Sequence, residues 1–395
     1  QAEDGIRDSW ASRGLGDVYK RQYLFFTKMN RLIFIILLFL PFHSFSKEKA
    51  ISDGPYIFIE KNNLVEKSII NNKVFSKVLE SDSFNTAFIP EKSTFNNIKK
   101  IAVLSDIHGK YEILITLLKN NNIIDEKENW IFGEGHLVIN GDIFDRGNKV
   151  NEVLWLVFEL ETQAIKKGGR VHYLLGNHEY MVLYNDLRYI NEKYKLTSEL
   201  LNIEYDELYG KNTIIGRWLR SKPTIIKINN QIFTHGGISE NFLAYEKFNI
   251  DNINYKMRES IPLLKKMRKN RKNSKDPSFY NVYFGSESLI WYRGYFTEDL
   301  TDIDISKILK IVKADHIIVG HTSNSKVLQF YNSKIIGVDS SIKNGKYGEL
   351  LIIDNNQFFR GTLKGELLKL NWVKELKDWN QNKLLLYFFI EKIII

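Results

Sequence analysis

Short apolar runs recur along this chain, and five of them stop at a loop that combines glycine with a metal-binding type of side chain. Ile101–Leu104 gives way to Ser105-Asp106-Ile107-His108-Gly109. Leu137–Ile139 leads into the loop Asn140–Gly147, which carries Asp142, Asp145 and Arg146. Val171–Leu175 runs into Gly176-Asn177-His178-Glu179-Tyr180. Ile225–Phe233 reads as two short strands around Asn229-Asn230 and leads to His235-Gly236, and Ile317–Val319 leads to Gly320-His321. Short apolar runs bounded by glycine read as buried strands. Between them, Glu112–Lys119 and Lys149–Lys167 carry helical spacing, the second stopped by Gly168-Gly169. Strand, loop and helix in repetition predict an α/β architecture with a buried sheet. In such sheets, sites assemble at the carboxyl ends of the strands. Glycines there let the backbone turn sharply and approach a ligand.

The residue types narrow the chemistry. Asp106, His108, Asp142, Asn177, His235 and His321 form an oxygen and nitrogen donor set, and the cysteine count is zero. Thiolate sites and disulfides are excluded, and the set suits Mn, Fe, Zn or Ni. Asp106 and His108 lie two apart, so an extended loop would point both the same way. Asp142 sits between the other groups in sequence and is the natural carboxylate to be shared by two ions about 3.5–4 Å apart. A two-metal centre binds phosphate and makes a hydroxide from water. Arg146 offers a planar fork for phosphoryl oxygens, and Arg293, set between aromatics in Trp291–Tyr295, offers a second. Alone, a loop Asp is more often a cap or an Asx turn. Alone, a loop His is more often a satisfied hydrogen-bonder. The convergence of five loops favours the metal reading. Asn177, His178 and Glu179 are three adjacent polar side chains, not expected all to face a core. His178 could be a ligand or a structural hydrogen-bonder. For Glu179, pairing with a nearby Arg or an amide is expected rather than ligation.

Ser105–Gly109, Gly141–Gly147, Gly176–Glu179, His235–Gly237 and Gly320–Thr322 together resemble the phosphoprotein phosphatase branch of the calcineurin-like metallophosphoesterases. Motif order and spacing agree with that branch over about residues 100–340, and Trp291–Tyr295 with Gly320–Thr322 make the chain look similar to the Shewanella-like phosphatases and their bacterial relatives. The resemblance implies a metallophosphoesterase β-sandwich flanked by helices. It implies that Asp106 and His108 bind one metal, that Asp142 bridges, and that Asn177, His235 and His321 bind the second. It further implies that His178 is the general acid, oriented by Asp145, and that Arg146 and Arg293 clamp the phosphoryl group. The activity implied is hydrolysis of phosphomonoesters, on a phosphorylated protein or a small phosphoester, by direct attack of a metal-bound hydroxide. A phosphodiesterase or dinucleoside polyphosphate hydrolase on the same fold is the alternative, and a non-catalytic phosphate-binding module a more distant one. The family usually has Gly before its first Asp, where Ser105 stands here.

The remaining segments set the boundaries. Residues 1–28 are polar and without period, and resemble a translated sequencing-adapter artefact. Met29–Ser46 has a short basic start, the apolar run Leu32–Phe42 and small residues at Ser44 and Ser46, which predicts a signal peptide and export to the periplasm. No membrane span is expected to remain after its cleavage. Residues 47–98 read as a small β region around a turn at Lys61–Asn63, with 81–98 irregular. The catalytic domain is expected over 99–370, with cap insertions at about 186–220, mostly helical, and 241–290, irregular, basic and aromatic. Phe358–Leu368 reads as an edge strand and 371–395 as an apolar tail. Net charge is +9, but only Lys265–Lys275 is densely basic. It reads as a solvated loop, and no nucleic-acid partner is expected. His136, His172 and His316 lie outside the motifs and are expected to be structural. Packing is the expected role of Tyr292 and Tyr295.

Overall fold

The structure is a computed structural model, and it describes residues 50–61, 63–270 and 277–372. Segment 1–28, the leader Met29–Ser46 and tail residues 373–395 lie outside the described residues. The described strands form three sheets.

The first sheet is an antiparallel meander of β1 (Asp53–Glu60), β2 (Asn63–Ile70) and β3 (Lys73–Leu79). Its first turn falls where the sequence placed it. β3 pairs with β2 over its full length. Buried Asp53 ties this sheet to the helix Glu192–Leu201. It lies 2.9 Å from Lys193 Nζ and accepts from Thr197 Oγ1 at 2.7 Å.

The other two sheets make a sandwich. One contains the parallel strands β5 (Lys100–Leu104), β6 (His136–Ile139) and β7 (Arg170–Tyr173). The antiparallel strands β13 (Glu349–Asp354), β14 (Gln357–Thr362) and β15 (Leu367–Lys369) extend it beyond β5. The facing sheet has the order β16-β11-β12-β10-β9-β8-β4. Its members are β4 (Thr94–Phe95), β8 (Ile225–Ile228), β9 (Gln231–Thr234), β10 (His316–Val319), β11 (Leu328–Phe330), β12 (Ile335–Gly337) and β16 (Asn371–Trp372). The single strand expected over Phe358–Leu368 is two strands, β14 and β15, separated by a turn containing Gly365 at φ 82°.

Side-chain alternation explains why the runs are apolar throughout. Ile101 and Val103 point into the sandwich with Val138, Phe233, Ile318 and Leu351. Ala102, Leu104, Leu137 and Ile139 point to the other side, against Leu114 and Leu117 of the helix Tyr111–Asn120 and Val153 of the helix Val150–Lys166. A strand buried on both faces has no polar side to show. At the carboxyl end, one side chain stitches the sheets together. Asn140 Nδ2 donates to the Thr234 carbonyl at 3.0 Å and to the Ile318 carbonyl at 3.1 Å.

The cap differs from expectation in one respect. Residues 241–290 are helical over most of their described length, as Glu240–Tyr245, Ile250–Ser260, Leu264–Asn270 and Pro277–Phe284. Phe242, Ile253, Met257, Ile261 and Leu264 are buried and supply the apolar faces. The basic stretch is likewise not simply a solvated loop. Its first part lies in the helix Leu264–Asn270, where Arg268 Nη2 is 2.8 Å from Asp186 Oδ2 and the guanidinium stacks over Tyr184. Residues 271–276 lie outside the described residues.

Candidate active site

All five ligand-bearing loops leave the carboxyl ends of parallel strands on the same side of the sandwich. Asp106 and His108 follow β5, Asp142 and Asp145 follow β6, Asn177 and His178 follow β7, His235 follows β9, and His321 follows β10. The two sheets each contribute. The backbone there is unusual: Asp106, His108, Asp142, Asp145, Arg146 and His321 all have φ between 46° and 71°. The left-handed region is costly for such residues, and a run of them at one place marks a built site. Asp106 and His108 thus converge through two left-handed residues, not through the extended loop expected from their spacing.

Every expected ligand is buried. His108 Nε2 lies 3.8 Å from both Asp106 Oδ1 and Asp142 Oδ2. His235 Nε2 lies 3.1 Å from Asp142 Oδ2 and 3.0 Å from Asn177 Oδ1. The ligand atoms of Asp142, His235 and His321 fall within 4.8 Å of one another, and so do those of His108, Asp142 and His178. Asp142 belongs to both groups. His321 Nε2 is buried and has no hydrogen-bond partner among the described residues, which fits a nitrogen reserved for a cation. Backbone carbonyls hold the opposite nitrogens of two ligands: His108 Nδ1 meets Phe144 O at 2.6 Å and His235 Nδ1 meets Asn140 O at 2.8 Å. Such contacts orient metal-binding imidazoles. The residues present fit two divalent cations, with Asp142 a member of both groups.

His178 is held differently. Its Nδ1 is hydrogen-bonded to the Asp145 carboxylate, and its Nε2 lies 3.8 Å from Asp142 Oδ2. Burial alone would lower its pKa, but the charges of Asp142 and Asp145 outweigh that and raise it. His108 and His321 go the other way: burial holds both well below the ordinary range, as neutral imidazoles. For His235, Asp142 overcomes burial and carries the pKa to about 9. Burial, then the charge of Asp339, pushes Asp106 up to about 7.

Asn177, His178, Glu179 and Tyr180 are all buried, at the start of the helix Asn177–Leu183. Three polar neighbours do face the interior, because each finds a partner there. Glu179 pairs with amides and not with an arginine. Its carboxylate accepts from the backbone N–H of Asp142 at 2.9 Å, Ile143 at 2.7 Å and Gly176 at 2.7 Å, and from Tyr173 OH at 2.9 Å. Gly176 has an ordinary φ of −90°. It is required for space and not for a sharp turn: a Cβ there would lie 2.3 Å from Asp142 Oδ1. Tyr180 OH bonds Thr224 Oγ1 in the core at 2.7 Å. Ser105, in place of the usual Gly, donates to Asp106 Oδ2 at 2.5 Å.

Both arginines are exposed and flank the buried set. Arg293 Nη1 donates to the His321 carbonyl at 2.7 Å. Arg146 stacks on Tyr189, with Cζ 5.4 Å from the ring centroid. Tyr189 carried no motif, yet its ring also lies 5.4 Å from that of His178, and its carbonyl accepts from the Arg146 N–H at 2.8 Å. Asn140 was likewise unassigned. A buried Asn directly after an apolar run was the available signal. Tyr292 and Tyr295 are packed, as expected. His136 and His172 pair with each other at 2.9 Å, and His316 Nδ1 bonds Ser333 O.

Two helix-flanked sheets with a shared-carboxylate His and Asp centre at their carboxyl ends define a metallophosphoesterase. The chain belongs to the calcineurin-like phosphoesterase family, whose model matches residues 99–324, and it is a metal-dependent phosphoric ester hydrolase. It is 30% identical to Shewanella-like protein phosphatase 1 of Plasmodium berghei, over 73% of this chain and 75% of that protein. It is 22% identical to Shewanella-like protein phosphatase 2 of Arabidopsis thaliana, over 64% of this chain and 74% of that one. The crystal structure of the cold-active protein-tyrosine phosphatase of a psychrophilic Shewanella species superposes with a TM-score of 0.76. It is 41% identical, and the match covers 81% of this chain and all of that chain. Among the described residues, no helix is long and apolar enough to cross a membrane.

Proposed function

We propose that this protein is a phosphomonoesterase acting on phosphorylated proteins or small phosphoesters, with direct transfer of the phosphoryl group to water. The observation that carries this reading is the contrast between His178 and its histidine neighbours. His108 and His235 are turned by neutral carbonyls, as ligands are, whereas His178 is turned by the Asp145 carboxylate, which favours its protonated form.

Asp106, His108 and Asp142 would hold one cation, and Asp142, Asn177, His235 and His321 the other. Two divalent cations there supply Lewis-acid stabilisation of phosphoryl charge and lower the pKa of nearby water. Arg146 and Arg293 reach in from the exposed side and bind phosphoryl oxygens, where guanidinium forks suit both ground and transition state. His178 delivers its Nε2 proton to the leaving oxygen, and Asp145 keeps that nitrogen aimed and the ring charged. The named activity of the Shewanella enzyme supports a phosphoprotein as substrate, with phosphotyrosine included.

Hydrolysis of p-nitrophenyl phosphate, its bis-ester and phospho-Ser, phospho-Thr and phospho-Tyr peptides tests this, with added Mn and after chelation. Faster cleavage of the monoesters, abolished by chelator, is expected. A preference for the bis-ester, or activity that survives chelation, would overturn the reading.

A further inference from the structure

A cleft of about 400 Å³ opens beside the centre, with Phe284, Glu287, Trp291, Tyr292, Arg293 and Glu298 among its walls. It shares Arg293 with the phosphoryl site. Trp291, on the same wall, meets the His321 ring edge-on with centroids 5.4 Å apart. A group seated in the cleft is therefore a direct neighbour of a phosphoryl group held by Arg293.

The chemistry of the cleft is at odds with the rest of the chain. Net charge overall is +9, yet here two carboxylates face one guanidinium. Both carboxylates act on the Tyr292 phenol. Burial first, then the charge of Glu298, Tyr295 and more weakly Glu287, pushes its pKa above the ordinary range. Tyr292 OH also donates to Glu298 Oε2 at 3.3 Å. The wall is braced: the Glu287 carbonyl accepts from Ser239 Oγ at 2.9 Å, and the Glu298 N–H donates to Gly294 O at 3.0 Å. Aromatic faces bordered by carboxylates suit an aliphatic stem that ends in a cation. Arg293 favours the anion and the two glutamates favour a cation, so the cleft discriminates by charge.

We propose that this cleft is a specificity subsite for a Lys or Arg side chain flanking the phosphorylated residue of a protein substrate. The proposal rests on the phosphomonoesterase reading and names the substrate class that reading leaves open.

The test compares phosphopeptides of one sequence with Lys, Ala or Glu at each position within two residues of the phosphoresidue. A Lys peptide is expected to exceed its Glu counterpart in kcat/KM by roughly five- to tenfold at low salt, and the gap to shrink as salt screens it. Glu287→Gln with Glu298→Gln should remove most of that gap, and Glu298→Lys should shift preference toward the Glu peptide. Affinities of the same peptides for His178→Asn read the cleft without turnover, so they apply even if p-nitrophenyl phosphate is not hydrolysed and the phosphatase reading fails. Equal affinity and equal kcat/KM for Lys and Glu peptides, or a Lys preference that the glutamine variants retain, would overturn the proposal.

Discussion

Glu179 grips the backbone of Asp142, and Asp142 grips the backbone of the residue beside Glu179. Glu179 Oε2 accepts the N–H of Asp142 at 2.9 Å, while Asp142 Oδ1 accepts the N–H of His178, the residue before Glu179, at 3.1 Å. The loop after β6 and the helix after β7 are locked together by this exchange. Glu179→Gln keeps the shape but replaces one acceptor oxygen with a donor, which faces N–H groups already pointing inward. We expect a loss of about 2–4 kcal/mol in unfolding free energy, measured by denaturant titration, with metal content falling alongside.

Among the described residues, Asp142 is the one member common to both ligand groups. Asp142→Asn should therefore lose both cations, whereas Asp106→Asn should lose chiefly one. Metal content per chain, measured by elemental analysis after dialysis, separates the two variants. Equal stoichiometry in both would refute the shared role.

His178→Asn should lower kcat by about 10²–10⁴-fold with a smaller change in KM. The loss should be greater for alkyl phosphates, whose leaving oxygen needs the proton, than for p-nitrophenyl phosphate. Asp145→Asn should follow the same pattern. A loss of equal size for every leaving group would point to a ligand role for His178.

Tyr189 carries Arg146 on its ring and leans on His178. Tyr189→Ala should raise KM roughly two- to fivefold through loss of the cation–π contact, and Tyr189→Phe should restore it. The phenol oxygen takes no part in the stack, so a Phe variant as impaired as Ala would exclude this role.

His136 and His172 set an acid limit away from the centre. Burial first, and then nearby positive charge, lowers His136 to about 4; burial holds His172 well below the ordinary range. The unfolded chain takes up protons near pH 6.5, before the folded protein does. The stabilisation is complete above that pH and is lost as pH falls from about 6.5 toward 4. His172→Phe should be less stable than wild type at pH 7, yet lose less on acidification, as read from unfolding curves between pH 4 and 7.

The architecture was legible in the sequence where burial is two-sided. Leu137–Ile139 and Ile317–Val319 have no polar face, and the glycines beside Asp142 and His321 marked where those strands stop. Helicity in 241–290 was hidden by Asn and Lys, although Ile253, Met257, Ile261 and Leu264 recur three or four residues apart and are buried together. The left-handed backbone at Asp106 and His108 was not legible, because it follows from hydrogen bonds to the β6 loop, such as His108 N–H to Asp142 O at 3.0 Å. Tyr189 was not legible either: its place depends on a carbonyl bonded to a residue 43 positions earlier, Arg146.

Strand order also sets a timetable for synthesis. All six ligand residues precede Thr322, but β5, which carries Asp106 and His108, takes its second neighbour from β13, beginning at Glu349. A chain emerging from the ribosome thus exposes every donor while one edge of β5 still lacks its partner. Residues 349–354 complete the sheet around β5, so the strand that positions Asp106 and His108 gains its second neighbour only once β13 has been made.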